Sequence, residues 1–473
     1  MNLSFLPSVI RIPRSAKVDA AARRVSSLQR GGTPRLLSFV FVLLFAATLH
    51  AGIAENAVRT RIGGIDVIAY KTGVKDVVTF CGSLPAGDSF AGSGNLAVPT
   101  LVGAMLDQGT TTEDKFAIAQ KLDSVGAELE FEVGGTLMEF SGKCLRKDLP
   151  MVIGLLAEQL RSPAFSEEEF TKVKQQLAGQ LQRALESTNY RAGQAFAQAI
   201  YTPDNPNYSP PTEAFLAAVK SATVADLRAF HKKYYGPAAF TLVAVGDIDV
   251  PGLQTEIAKA FAGWTGGVAM PVYPKPAPPD ADRDQSVFMP EKPNVSVILG
   301  QASGLKYTDA DAIPLRVATT ILGSGFTGRL MATVRDKEGL TYGIGSRVGN
   351  DSFTEGDWRI NASFAPALLE KGLASTRREL KKWHDDGVTV AELERTKTNL
   401  TGSYKVGLAT TDGIAGMILV TVNRGFDLAW LDEYPKKIDA VTLDQVNAAI
   451  KKHLNPDDMV LIKAGTVPAI APR

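Results

Sequence analysis

Residues 169–179 read EFTKVKQQLAG, and residues 392–402 read ELERTKTNLTG, 223 positions later. Both stretches open a helix with the same alternation of charged and apolar residues, and a fixed offset of this size marks an internal duplication. Outward from the pair, each half follows one order. An apolar helical stretch (99–106 and 314–322) comes first, then a Gly/Thr turn and a second helix. Two strand-like runs follow, then a long amphipathic helix (149–160 and 368–383). Each half ends on a β-rich run, FTLVAVGDI at 240–248 and MVLIKAG at 459–465. Between the halves, residues 264–284 hold five prolines without apolar periodicity, as an extended linker does. The expected architecture is α+β: two homologous domains, 58–263 and 285–470, each a mixed or antiparallel sheet packed with helices.

The balance of 51 basic against 50 acidic residues gives no global pull toward nucleic acid or an anionic membrane. The amino terminus differs from the rest. Seven basic residues and only one acid, Asp19, precede an apolar run at 36–49, which small residues at 51–54 follow. That order reads as a secretory signal over residues 1–54, cleaved after Ala54; the alternative is an uncleaved anchor. The mature protein is then expected in the periplasm or outside the cell, where Cys81 and Cys144 meet an oxidising compartment. Each ends a strand-like run. A disulfide between neighbouring strands therefore stands against two unpaired, partly buried thiols.

No G-x-G-x-x-G follows a strand and no Walker lysine motif occurs, so a nucleotide site is not expected. The helix near residue 100 reads PTLVGAMLDQGT over 99–110. Together with the duplication, this stretch resembles the insulinase/pitrilysin-type metallopeptidases, the inverzincins, across nearly all of residues 58–470. In that family H-x-x-E-H precedes a similar M-L-x-x-G-T ending. The resemblance puts the first zinc histidine at Thr100, the general base at Gly103 and the second histidine at Ala104. The distal glutamate falls at Gln180, 76 residues further on. None of the four residues found there suits catalytic zinc, which takes three ligands from His, Glu, Asp or Cys. The four histidines, at 50, 231, 384 and 453, are scattered, and no G-x-S-x-G elbow offers another nucleophile. This chain is expected to bind no metal.

The second half carries LGSGFTGRL at 322–330 and RDKEGLTY at 335–342. Here the resemblance is strongest, for the family places an arginine and a tyrosine at this spacing to hold a substrate backbone. It assigns that role to Arg335 and Tyr342. A guanidinium and a phenol are donors suited to a peptide carbonyl or its oxyanion. Gly323, Gly325 and Gly328 read as a loop that approaches a peptide, or as a plain turn between helices. Arg329 is a candidate for the same cavity, with a surface salt bridge as its alternative.

Some members of the family work as two chains, one with the zinc motif and one with the arginine–tyrosine pair. The resemblance thus implies a non-catalytic subunit of a heterodimeric, secreted zinc endopeptidase. The zinc is expected in a homologous partner carrying H-x-x-E-H, and the substrates are unfolded peptides. The alternative is a peptide-binding or scaffold protein with no peptidase role.

Overall fold

A computed structural model describes residues 52–273 and 282–467. Two mixed sheets form, one per half. The first contains β1 (Ala57–Ile62), β2 (Ile65–Lys71), β3 (Val77–Leu84), β4 (Glu128–Val133), β5 (Met138–Leu145) and β6 (Thr241–Gly246), in the order β1-β2-β6-β3-β5-β4. The second contains β7 (Asp284–Phe288), β8 (Val295–Ala302), β9 (Thr341–Gly349), β10 (Asp357–Phe364) and β11 (Val460–Gly465), ordered β7-β11-β8-β10-β9. Once β1 is set aside, the two orders correspond strand for strand. The parallel pair β2–β6 matches the parallel pair β7–β11. The α+β duplication is therefore present at the level of topology.

Local chemistry sets the helices. Ser166 caps the helix Glu167–Leu185 and Thr389 caps Val390–Gly407, each accepting from the backbone N–H three residues on. Ser187 and Thr410 likewise cap Thr188–Ile200 and Thr411–Asn423. Both pairs of caps are 223 residues apart, so the offset of the sequence repeat survives in three dimensions.

The last two helices cross over. Thr188–Ile200 of the first half lies on β8 and β11 of the second, whereas Thr411–Asn423 lies on β3 and β6 of the first. Their leading threonines make matching hydroxyl contacts, Thr188 with Ser296 and Thr411 with Thr79, both at 2.8 Å. Phe196 and Ile200 join a core with Ile298 and Ile462, and Ile418 and Leu419 join one with Ile68 and Val243. The central strand β6 (TLVAVG) is consequently buried throughout, with helices on both faces.

Three expectations shift. Cys81 faces Ser141 across the β3–β5 ladder, and Cys144 faces Val78. Three residues of offset leave the thiols on opposite faces, with the Cα atoms about 10 Å apart, beyond disulfide reach. Both are free and buried, and burial raises both thiol pKa values, that of Cys144 to about 12. The linker is not wholly extended. Trp264 packs on Phe240 and Phe261, and β7 already begins at Asp284, while residues 274–281 lie outside the described residues. Most of the signal segment, 1–51, also lies outside them. Its last residues, however, belong to the fold. Ile53 is buried, and the Ile53 and Ala54 N–H groups donate to the Asp432 carboxylate at 2.8 and 2.9 Å. The first folded unit therefore starts before residue 58.

Candidate functional site

In the first half, the helix Val98–Met105 packs between β4 and the helix Glu167–Leu185, the arrangement on which a zinc site would be built. The side chains present do not fit zinc. The Thr100 hydroxyl donates to Asp88 Oδ1 at 2.7 Å. Burial lifts the Asp88 carboxyl to a pKa of about 7, partly offset by that bond. A Cβ on Gly103 would stand 2.3 Å from Val133 Cγ2, so β4 fills the place of the missing glutamate side chain. Ala104 carries no donor atom. Gln180 is buried, and its side-chain oxygen has no hydrogen-bond partner among the described residues. Nor do the described residues contain a group of three His, Cys, Asp or Glu suited to a metal. His231, His384 and His453 each bond a separate carbonyl or carboxylate. The inter-half segment also touches this region: the Tyr273 hydroxyl lies 2.9 Å from Ser89 Oγ, beside Asp88.

In the second half the structure brings Arg335 and Tyr342 together by two departures from regular geometry. Arg335 lies on a wide, π-type helical turn, Met331–Lys337, whose buried side are Met331 and Val334. Such turns are rare and often mark functional sites. After Gly339 (φ +65°) the chain enters β9. There Thr341 pairs with Phe364 but Gly343 already pairs with Ser363, so Tyr342 is bulged out of the ladder. A bulge re-aims a side chain, and Tyr342 is 88 % exposed.

The glycine turn supplies a third ring. Gly323 and Gly328 are required by close packing: a Cβ on Gly323 would fall 2.5 Å from the Ser346 nitrogen, and one on Gly328 3.0 Å from Gly323 Cα. Gly325 adopts φ +67° with open space around it. The turn so formed presents Phe326 at 73 % exposure. The Arg335 guanidinium carbon sits 5.2 Å from the centroids of both the Phe326 and the Tyr342 rings, at cation–π distance. Its nearest carboxylate, Asp336, is 3.7 Å away, and it forms no hydrogen bond to any described residue. Arg335 is thus held by ring faces, with its N–H donors left for something else.

Arg329 is not part of this arrangement. Its Nε and Nη2 donate to the two oxygens of Glu392 at 2.7 Å each, and Nη2 also reaches the Gly387 carbonyl. That bidentate pair holds the Glu392 carboxyl down to a pKa of about 2. Glu392 is also the capping-box residue of its helix, so Arg329 ties the glycine turn to a helix start. Sequence reasoning took the glycines and passed over Phe326. An apolar residue at the tip of a glycine turn was the available signal.

Comparison with known proteins agrees with this geometry. Residues 79–203 match the family described as insulinase (peptidase family M16), and residues 221–400 match the peptidase M16 inactive domain. An uncharacterized zinc protease of Streptomyces coelicolor is 25% identical over 360 residues, covering 73% of this chain and 76% of that protein. A non-peptidase homolog from Helicobacter pylori is 23% identical over 387 residues, covering 79% and 85%. Among solved structures, a peptidase M16 inactive domain from Pseudomonas fluorescens superposes with a TM-score of 0.81 at 25% identity, covering 88% of this chain and 99% of that one. With the two halves, the arginine–tyrosine pair and the displaced metal ligands in place, the chain belongs to the insulinase (M16) peptidase family, as a member without its zinc-binding motif.

Proposed function

We propose that this chain is the non-catalytic, substrate-binding subunit of an exported heterodimeric zinc peptidase. Its partner is a homologous chain carrying H-x-x-E-H, which brings the zinc. The observation that carries the reading is the state of Arg335. Its guanidinium is fixed between two exposed rings, its donors are unpaired, and Tyr342 is thrust out beside it by a bulge. A chain with only a scaffolding role has no use for such an arrangement. A peptide carbonyl lying at the edge of the guanidinium, within reach of the phenol, satisfies both groups. Both also stabilise the negative charge that develops on that oxygen when the partner's zinc-bound water attacks.

The test mixes this chain with the zinc-bearing partner and follows cleavage of an unstructured peptide. Hydrolysis is expected only from the mixture. Tyr342→Phe is expected to lower turnover by roughly 10²–10³, the usual cost of one oxyanion donor. Arg335→Ala should cost at least as much, with assembly and the partner's zinc content unchanged. Full activity of both variants in an assembled complex would leave only a scaffold role.

A further inference from the structure

Beyond Tyr342, β9 has unusual features. It is the edge strand of the second sheet and pairs only with β10. Ile344, Ser346 and Val348 point into the core beneath it. The opposite face reads Gly343, Gly345, Arg347, Gly349. Packing does not require all of these glycines. A Cβ at Gly343 or Gly349 would meet nothing within 4 Å, although Gly345 lies close to the Gly323 carbonyl. A glycine inside a strand costs roughly 0.5–1 kcal/mol relative to alanine. The fold therefore carries a bare, weakened edge that it does not itself need, and close approach of another backbone is the usual reason for one.

The bare face leads to one side chain, Arg347. It is exposed, yet withdrawal from bulk water and the facing Arg359 together pull its pKa down to about 10. A side chain both open to solvent and short of solvent lies in a concavity. Arg347 and Arg359 are direct cross-strand partners, a like-charge pairing that destabilises a sheet. The one carboxylate nearby, Asp357, is fully buried and already taken. It accepts from Tyr201 at 3.0 Å and Asn350 at 2.6 Å, and Arg359 Nε lies 2.8 Å from its other oxygen. Arg347 itself forms no hydrogen bond or ion pair with any described residue.

We infer that Arg347 is a specificity-determining residue, which binds a carboxylate of an extended peptide lying along the bare face of β9 from the Arg335–Tyr342 site. Five strand residues separate Tyr342 from Arg347, about 17 Å, so the carboxylate sits about five residues from the carbonyl held at Arg335. The carboxylate is either the peptide's own C-terminus or an Asp or Glu side chain. Both offer the planar pair of oxygens that a guanidinium fork matches. This inference rests on the peptide-binding reading above, which says nothing of peptide charge.

Binding to the mature chain alone separates the two. Ten-residue fluorescent peptides, identical except for a free or amidated C-terminus and for one Glu or Gln, are titrated and followed by anisotropy. Loss of the relevant carboxylate is expected to weaken binding by about tenfold, the scale of one charge-assisted hydrogen bond. The arm that shows the loss identifies the source. Arg347→Gln should bind acidic and neutral peptides alike, and Arg347→Lys should keep part of the preference. Because Arg347 faces another arginine, Arg347→Gln should leave Tm unchanged or raised, whereas a structural role would lower it. If Arg335→Ala weakens every peptide but wild type is indifferent to the carboxylates, the Arg347 assignment is overturned and peptide binding stands. If no peptide binds, both fall.

Discussion

At Gly103 the helix and β4 approach too closely for any side chain. In an open helix, Gly→Ala stabilises by up to about 1 kcal/mol. Here the added methyl would meet Val133 Cγ2, so the sign should reverse. Gly103→Ala is expected to destabilise by about 1–3 kcal/mol, the usual range for overpacking, measured by urea unfolding. Val133→Ala in the same chain should restore most of the loss. A Gly103→Ala chain more stable than wild type would remove the close-approach argument. The absence of zinc ligands was legible letter by letter, because the family motif is short and local. What took their place was not, because Val133 lies 30 residues further on and meets Gly103 only in the folded sheet. Arg329 shows the same limit: its two readings could be separated only once Glu392, 63 residues away, was found opposite it.

At the level of elements, the caps made the helices readable, and β-rich runs marked most strands. The bulge at Tyr342 was hidden, since register depends on β10, and so was the π-type turn under Arg335. The disulfide alternative failed for a similar reason. The two strands are indeed neighbours, but strand identity alone does not say which faces the thiols take. The short helix Ile53–Asn56 was also missed, because its stability comes from Asp432 and from the core that receives Ile53. It bears on processing. Removal of a leader after Ala54 would strip Ile53 from that core, whereas removal after Ala51 keeps both Asp432 hydrogen bonds. Amino-terminal sequencing of exported protein is expected to begin at Gly52. A start at Glu55 would show that the Ile53 contacts are dispensable.

Across the whole molecule, the crossed helices make each half incomplete alone. Without Thr411–Asn423, the first sheet would expose Ile68, Cys81, Val243 and Val245. Without Thr188–Ile200, the second would expose Ile298, Val460 and Ile462. Segments 52–273 and 274–473 expressed separately are expected to aggregate, and to co-purify as a folded pair when produced together. A soluble single half with cooperative unfolding would count against this dependence. The duplication itself was plain in the sequence, down to its offset, but the exchange was not. A helix amphipathic enough to cover a sheet carries no mark of which sheet it covers.

The constant offset also records which lengths the chain has been free to change. From Ser166 to Asn423's counterpart at Ile200, the two halves run without a single insertion or deletion relative to each other. The later caps Thr223 and Thr442 are only 219 apart, so residues have been gained or lost in the stretches just beyond the crossing helices. One extra residue inside a crossing helix would turn everything after it by about 100° and point its apolar stripe away from the opposite sheet. Drift in length is therefore confined to the loops after the exchange, and the exchanged segment is the part of this chain least able to grow.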